Sequence, residues 1–233
     1  MRQTYGQFCP VALASEVLAE RWTLLVVREL LCGATRFNEI RRGVPRLSAT
    51  LLKQRLRTLE HAGIIRRQPV TQGRGIDYLL TDAGRELSPI VNNIGEWGQR
   101  WARDIRHGDL DPGWLVWNIR RRLNLGSLPP GRTVIEIEFT DARSRDRRFW
   151  LVHEDGDVQV CLKDPGYDTT IRLVSGVRVL TELWFGMRTF AGEIRAGNLR
   201  LFGSPSHCRA LPNWLLLSEA ATIKRVRSAN PVP

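Results

Sequence analysis

No two of the four cysteines (Cys9, Cys32, Cys161 and Cys208) stand close enough for a CxxC zinc or redox pair. No His/Cys cluster has ligand spacing either, so neither a metal nor a cofactor is expected. Scattered cysteines in a chain of 233 residues fit a reducing compartment. No run of about 18 apolar residues occurs, which argues against a membrane-spanning helix. The N-terminus MRQTYGQFCPV lacks the apolar core of a signal peptide, so the cytoplasm is the expected location. Catalytic signatures are missing too: there is no P-loop, no Rossmann glycine fingerprint, no HExxH and no GxSxG. His153, Glu154 and Asp155 are consecutive, but neighbours on a strand point to alternate faces. His207 beside Cys208 is no better a nucleophile–base pair, since chain neighbours rarely converge. An enzyme is not expected.

What the chain does have is positive charge. The formal net charge is +11, and residues 1–108 carry 17 Lys/Arg against 10 Asp/Glu, the remainder 18 against 14. Such a surplus attracts polyanions, and it is denser in the first half.

That half has a specific order of elements. Pro10 opens a first helix, VALASEVLAER, and WTLLVVRELLCG forms a second, ended by Gly33. The second is apolar on nearly every side, as expected of a core helix that also meets a partner subunit. RFNEIRR is a third, with Phe37 and Ile40 inward, broken at Val44–Pro45. Ser48 caps a fourth, SATLLKQRLRTLEHAG, ended by Gly63. With Leu52, Leu56 and Leu59 on its buried side, Thr50, Lys53, Gln54, Arg57 and His61 fall opposite, a face of long hydrogen-bonding side chains suited to base edges and phosphates. Two strands, IIRRQPV and DYLLT, follow; Gly73 and Gly75 permit a tight tip, and Arg66, Arg67 and Arg74 make the hairpin basic. Thr81 then caps one long helix, TDAGRELSPIVNNIGEWGQRWARDI, bent at Pro89 and its glycines, whose apolar stripe (Leu87, Ile90, Val91, Ile94, Trp97, Trp101) needs a surface such as a second copy.

Composition shifts near RHGDLDPG, which sets expected domains at 1–108 and 109–233. In the second, TVIEIEFTD alternates apolar and acidic residues like a half-buried strand, and RRFWLVHEDG, DVQVCLKDPG and DTTIRLV follow as further strands. SGVRVLTELWFG, MRTFAGEIRAG and SHCRALPNWLLLSEAATIKR read as helices, and the SANPVP tail is expected to fray. Strands then helices predict an α+β domain with an antiparallel sheet.

From Gln7 to Asp104 the chain resembles the HxlR-type winged helix-turn-helix regulators, relatives of the MarR class. The cysteine, Trp22, the RF pair, LLKQRL and LE-x-AG occur in that family's order. The resemblance implies a homodimeric transcription factor binding double-stranded DNA, with the fourth helix reading bases and Arg74 on the wing. On that expectation Ser48, Thr50, Lys53, Gln54 and Arg57 lie at or near base edges, and Arg36, Arg42, Arg46, Arg66, Arg67 and Arg74 meet phosphates. Some family members sense thiols with an N-terminal cysteine, and Cys9 holds that position; a small, merely exposed residue is the plainer reading. From YDTTIRLVSG to SHCRAL, including the strand GNLRLFG, the second half resembles a sterol-carrier-protein-like domain. That implies a small apolar ligand between sheet and helices, with Phe139, Phe149, Leu151, Leu183, Trp184, Phe185, Met187 and Phe190 as candidate lining. The plainer reading is that these side chains fill the core. The competing function is a lipid carrier or enzyme whose activity resides in this half.

Overall fold

The computed structural model describes residues 4–70 and 74–226. The chain forms two compact units, Met1–Gly98 and Gln99–Pro233. Gly73 and the SANPVP tail lie outside the described residues.

The first unit runs α1 (Pro10–Leu18), α2 (Thr23–Leu31), α3 (Phe37–Gly43), α4 (Ala49–His61), the hairpin β1 (Ile65–Pro69) and β2 (Ile76–Leu80), α5 (Asp82–Arg85) and α6 (Ser88–Trp101). This is a winged helix-turn-helix. The Ser48 hydroxyl accepts from Leu51 N at 3.2 Å and starts α4. Val26, Val27 and Leu30 of α2, Ile40 of α3 and Leu52, Leu56 and Leu59 of α4 form its core. The strands pair antiparallel with Arg67 opposite Tyr78.

Three features depart from the expectation. The helix after the wing is broken in two, because Pro89 has no N–H and its ring crowds the carbonyl four residues back. The Thr81 cap holds, accepting from Gly84 N at 3.2 Å. Helix α2 is not buried all round: Leu25 is 41% exposed, and Val11, Leu13, Ile90, Ile94 and Trp97 are exposed as well. Finally, Arg55 lies on the buried side of α4. Its Nε donates to the Arg21 carbonyl at 3.0 Å and a terminal nitrogen meets Glu20 at 2.5 Å. Between these stands Trp22, at φ 80° in the left-handed region that bulky residues rarely enter. Arg55 therefore stitches the strained α1–α2 turn to α4. Arg55→Met is expected to lower stability by about 1–3 kcal/mol, because a buried carbonyl and a carboxylate lose their donor. An unchanged urea midpoint would contradict this role.

The second unit holds α7 (Pro112–Arg121), β3 (Thr133–Phe139), β4 (Arg148–Glu154), β5 (Asp157–Cys161), β6 (Ile171–Ser175), α8 (Val177–Trp184), α9 (Phe190–Arg195), β7 (Leu199–Gly203) and α10 (Pro205–Trp214). Its sheet order is β5-β4-β3-β6-β7. The expected all-antiparallel sheet is corrected to a mixed one: β6 runs parallel to β3, with Ile135 beside Ile171. Residues 162–170 carry the chain from the edge strand β5 to the far side of β3, so β6 enters in the direction of β3. The last helix also ends earlier than expected. Pro212 weakens it, and Leu215 leaves to bridge Leu123 while Asn124 N donates to the Trp214 carbonyl at 2.9 Å.

Strand β3 is not half-buried; all seven of its residues are buried. One face joins the apolar core. On the other, Glu136 and Glu138 are covered by arginines from flanking strands and the preceding turn: Arg172 bonds Glu138, Arg147 reaches it at 3.1 Å and Arg148 at 3.5 Å. Burial pushes the Glu138 carboxyl up, but the bond and charge of Arg172, with Arg148 and Arg147, outweigh it and hold the group below the ordinary glutamate value. The folded value is the lower one, so this group adds stability above pH ~4.3 and that contribution is lost as acid titrates it. Glu138→Gln is expected to flatten the acid limb of the stability–pH curve. An unaltered curve would contradict the assignment.

Candidate functional site

In the first unit, Ser48, Thr50, Lys53, Gln54, Arg57 and His61 are all exposed along α4. Ser48 is occupied in part by its cap. Thr50, Lys53, Gln54 and Arg57 make no side-chain hydrogen bond or ion pair with any described residue, whereas most arginines elsewhere in the chain are paired. A face of long donors left unengaged by its own protein is available to an external partner.

The hairpin stands beside it. Arg66, Arg67 and Arg74 are exposed, with Arg66 donating to Gln68 at 2.6 Å. Arg42 and Arg46, in and after α3, are exposed. Arg36 is placed differently. Its Nε meets Asp77 of β2 at 2.8 Å, Thr35 Oγ1 donates to the same carboxylate at 3.1 Å, and Tyr78 N donates to the Thr35 carbonyl at 2.8 Å. Residues 35 and 36 thus act as a short third strand that fixes the wing's angle, and the Arg36 guanidinium is engaged there.

Sequence reading missed the ion pair beneath this surface. Glu29 is fully buried, takes Arg28 at 2.5 Å, and Arg28 also donates to the Gly43 carbonyl at 3.0 Å. A Cβ on Gly43 would stand 1.8 Å from the Glu29 carboxylate, so only glycine fits where α3 turns toward α4. The adjacent charges Arg28–Glu29 were the only available signal, and they read equally well as a solvated pair.

Cys9 is exposed and precedes α1 without a side-chain capping bond; no disulfide joins any of the four cysteines. Among the described residues no cluster of His, Cys, Asp or Glu could hold a metal, and no helix is long and apolar enough to cross a membrane.

In the second unit, Phe139, Phe149, Leu151, Leu183 and Trp184 belong to one buried cluster, with Phe185 and Phe190 packed against it. Met187 does not join them and is 41% exposed. Helix α8 closes with Gly186 N donating to the Leu183 carbonyl and Met187 N to that of Glu182, at 2.9 and 2.8 Å; Gly186 at φ 73° turns Met187 outward. Trp114 and Trp184 meet edge to face at 6.0 Å. The Trp184 Nε1–H is buried with no acceptor among the described residues.

Comparisons with known proteins concern the first half of the chain. Residues 17–106 match the model of the HxlR-like helix-turn-helix family. The HTH-type transcriptional regulator YvaP of Bacillus subtilis is 38% identical over 113 residues, which cover 47% of this chain and 96% of that protein. An HTH-type transcriptional regulator of Methanothermobacter thermautotrophicus is 35% identical over 96 residues, covering 40% and 72%. The solved structure "Redox regulator HypR in its oxidized form" shares 37% identity with a TM-score of 0.39, covering 42% of this chain and all of that one. The relatives' shared class is non-enzymatic transcription regulation.

Proposed function

The chain belongs to the HxlR-like helix-turn-helix family of transcriptional regulators, and from that premise we propose that it acts as a homodimer that reads a pseudo-palindromic DNA operator. The observation that carries this reading is the unengaged polar face of α4 beside a basic hairpin. In the major groove, Thr50, Lys53, Gln54 and Arg57 meet base edges, with Ser48 at the helix start near a phosphate. Arg42, Arg46, Arg66, Arg67 and Arg74 pair with phosphates, which carry affinity but no sequence. Arg36 acts through the wing's orientation instead, given its bond to Asp77.

Dimerisation uses the exposed apolar residues of the first unit: Leu25 on α2, Val11 and Leu13 on α1, and Ile90, Ile94 and Trp97 at helical spacing on α6. Large apolar side chains aligned on one helix face mark an interaction surface. Two recognition helices then enter major grooves about 34 Å apart. Residues 109–233 are a sterol-carrier-like domain that takes a small apolar ligand against Phe139, Phe149, Leu151, Leu183 and Trp184 and shifts the dimer between two DNA-binding states. Such control requires the ligand to bind the two states unequally. Cys9, exposed near the N-terminus, is a candidate thiol sensor of the same switch.

Selection of bound duplexes from a random pool tests the reading. The expected product is an inverted repeat with half-sites one helical turn apart. Arg74→Ala is expected to weaken selected and scrambled duplexes alike and to reduce the slope of log affinity against log salt by about one. A loss confined to the selected sequence would remove Arg74 from the phosphate-binding set.

A further inference from the structure

Two buried polar atoms in the second unit face each other and bond to nothing. Thr133 opens β3 and is 1% exposed; its Oγ1 has no hydrogen-bond partner among the described residues. His153 stands directly opposite on β4, and its Nδ1 is likewise buried and without a partner. Directly opposed residues on an antiparallel pair hold their Cβ atoms about 4.5–5.5 Å apart on the same face. The hydroxyl and the imidazole are therefore neighbours that do not bond each other, and a single oxygen atom between them could reach both.

Their surroundings define a site with one polar end. Thr133 shares its face of β3 with Ile135, Ile137 and Phe139, the strand's contribution to the apolar cluster. His153 is followed across the sheet by Val158, whose carbonyl accepts from Arg120 Nε of α7 at 2.7 Å. The start of α7 lies at the opposite end of this layer, where a Cβ on Gly113 would touch Phe149 and where Trp114 meets Trp184. Helix α7 thus spans an interior that is apolar along its length and has the Thr133–His153 pair near its last turn.

Leaving such atoms unsatisfied destabilises the fold, since a buried polar group without a partner forfeits its hydration. Valine would fill the place of Thr133 without that penalty and suits a strand equally well. A structure that keeps an unsatisfied hydroxyl opposite an unsatisfied imidazole is arranged for a group that arrives later.

We propose that Thr133 Oγ1 and His153 Nδ1 form the polar subsite of the ligand-binding interior and select an apolar molecule bearing a hydroxyl. This rests on the ligand-binding reading of residues 109–233 and names its chemical class. A hydroxyl both donates and accepts, as do a threonine hydroxyl and, at its two ring nitrogens, a neutral imidazole. One ligand oxygen can therefore donate to one partner and accept from the other. A pure hydrocarbon leaves both orphans in place and gains nothing from them. Trp184 Nε1, a donor only, can receive a second acceptor at the far end but does not distinguish an alcohol from a ketone.

The test uses the full chain, two matched fluorescent probes (1-pyrenebutanol and 1-butylpyrene) and the variants Thr133→Val and His153→Phe. Without probe, Thr133→Val is expected to raise the urea midpoint. With probe, the parent protein is expected to prefer the alcohol by on the order of tenfold, as one or two buried hydrogen bonds allow, and each variant is expected to bring that preference to within about twofold. A lowered midpoint in Thr133→Val would show that the hydroxyl is already satisfied and overturn the subsite. Equal binding of both probes by the parent, or a preference that survives in both variants, would overturn the subsite while leaving an apolar ligand site intact. Failure of the parent to bind either probe would count against both the subsite and the ligand-binding reading.

Discussion

Gly43→Ala is expected to destabilise the first unit by about 3–5 kcal/mol and to abolish DNA binding with it. The added Cβ falls 1.8 Å from both the carboxyl carbon and an oxygen of Glu29, a contact no side chain tolerates. Glu29 cannot swing away into solvent, because it is fully buried between α2 and α3. Displacing it separates the carboxylate from Arg28, which holds Glu29 with one hand and the Gly43 carbonyl with the other. The result is a buried carboxylate without its partner, the most expensive outcome available to a buried ion pair. A double variant, Gly43→Ala with Glu29→Ala, removes the clash and the charge together. It is expected to be clearly more stable than the sum of the two single changes predicts, as coupled neighbours are. Strict additivity in a urea-unfolding cycle would show that the clash is relieved some other way.

Arg57→Ala is the largest expected effect on recognition. Arg57 is exposed on α4 and engages no described residue, and Leu52, Leu56 and Leu59 fix the rotation of the helix from its other side. If its fork meets a guanine, removal costs about 1–3 kcal/mol and relaxes preference at that base pair. Stability should be untouched, because the side chain supports nothing in the fold. This pairs usefully with Arg55, two positions earlier: Arg55→Met lowers stability first, whereas Arg57→Ala lowers specificity alone. An Arg57 variant that binds every duplex as the parent does would remove that residue from base contact.

Much of the first unit was legible because its signals are local. Ser48, the leucine spacing after it and Gly63 define α4 within sixteen residues, and the basic hairpin follows at once. What escaped was non-local. Arg55 is an arginine among arginines until the α1–α2 turn is folded against it. Arg36 reads as one more cation near DNA, and only the pairing of residues 35 and 36 with β2 gives it Asp77. In the second unit the alternation of TVIEIEFTD correctly marked a strand. Its acidic face was expected in water, but Arg172 comes from a strand thirty-four residues later along the chain and takes that face out of solvent. Strand order is likewise set by where residues 162–170 deposit β6, which no local pattern encodes. Pro89 and Pro212 were visible in the sequence, and each was given too little weight against a strong helical periodicity.

The most direct test of the central claim is an equilibrium titration of the full chain against its selected duplex and a scrambled duplex of equal length, at two salt concentrations. The recognition helix and wing predict tighter binding to the selected duplex by 10³-fold or more, on the order seen for specific sites, with affinity for both falling steeply as salt rises. Equal affinity for the two duplexes at both salt concentrations would contradict the account.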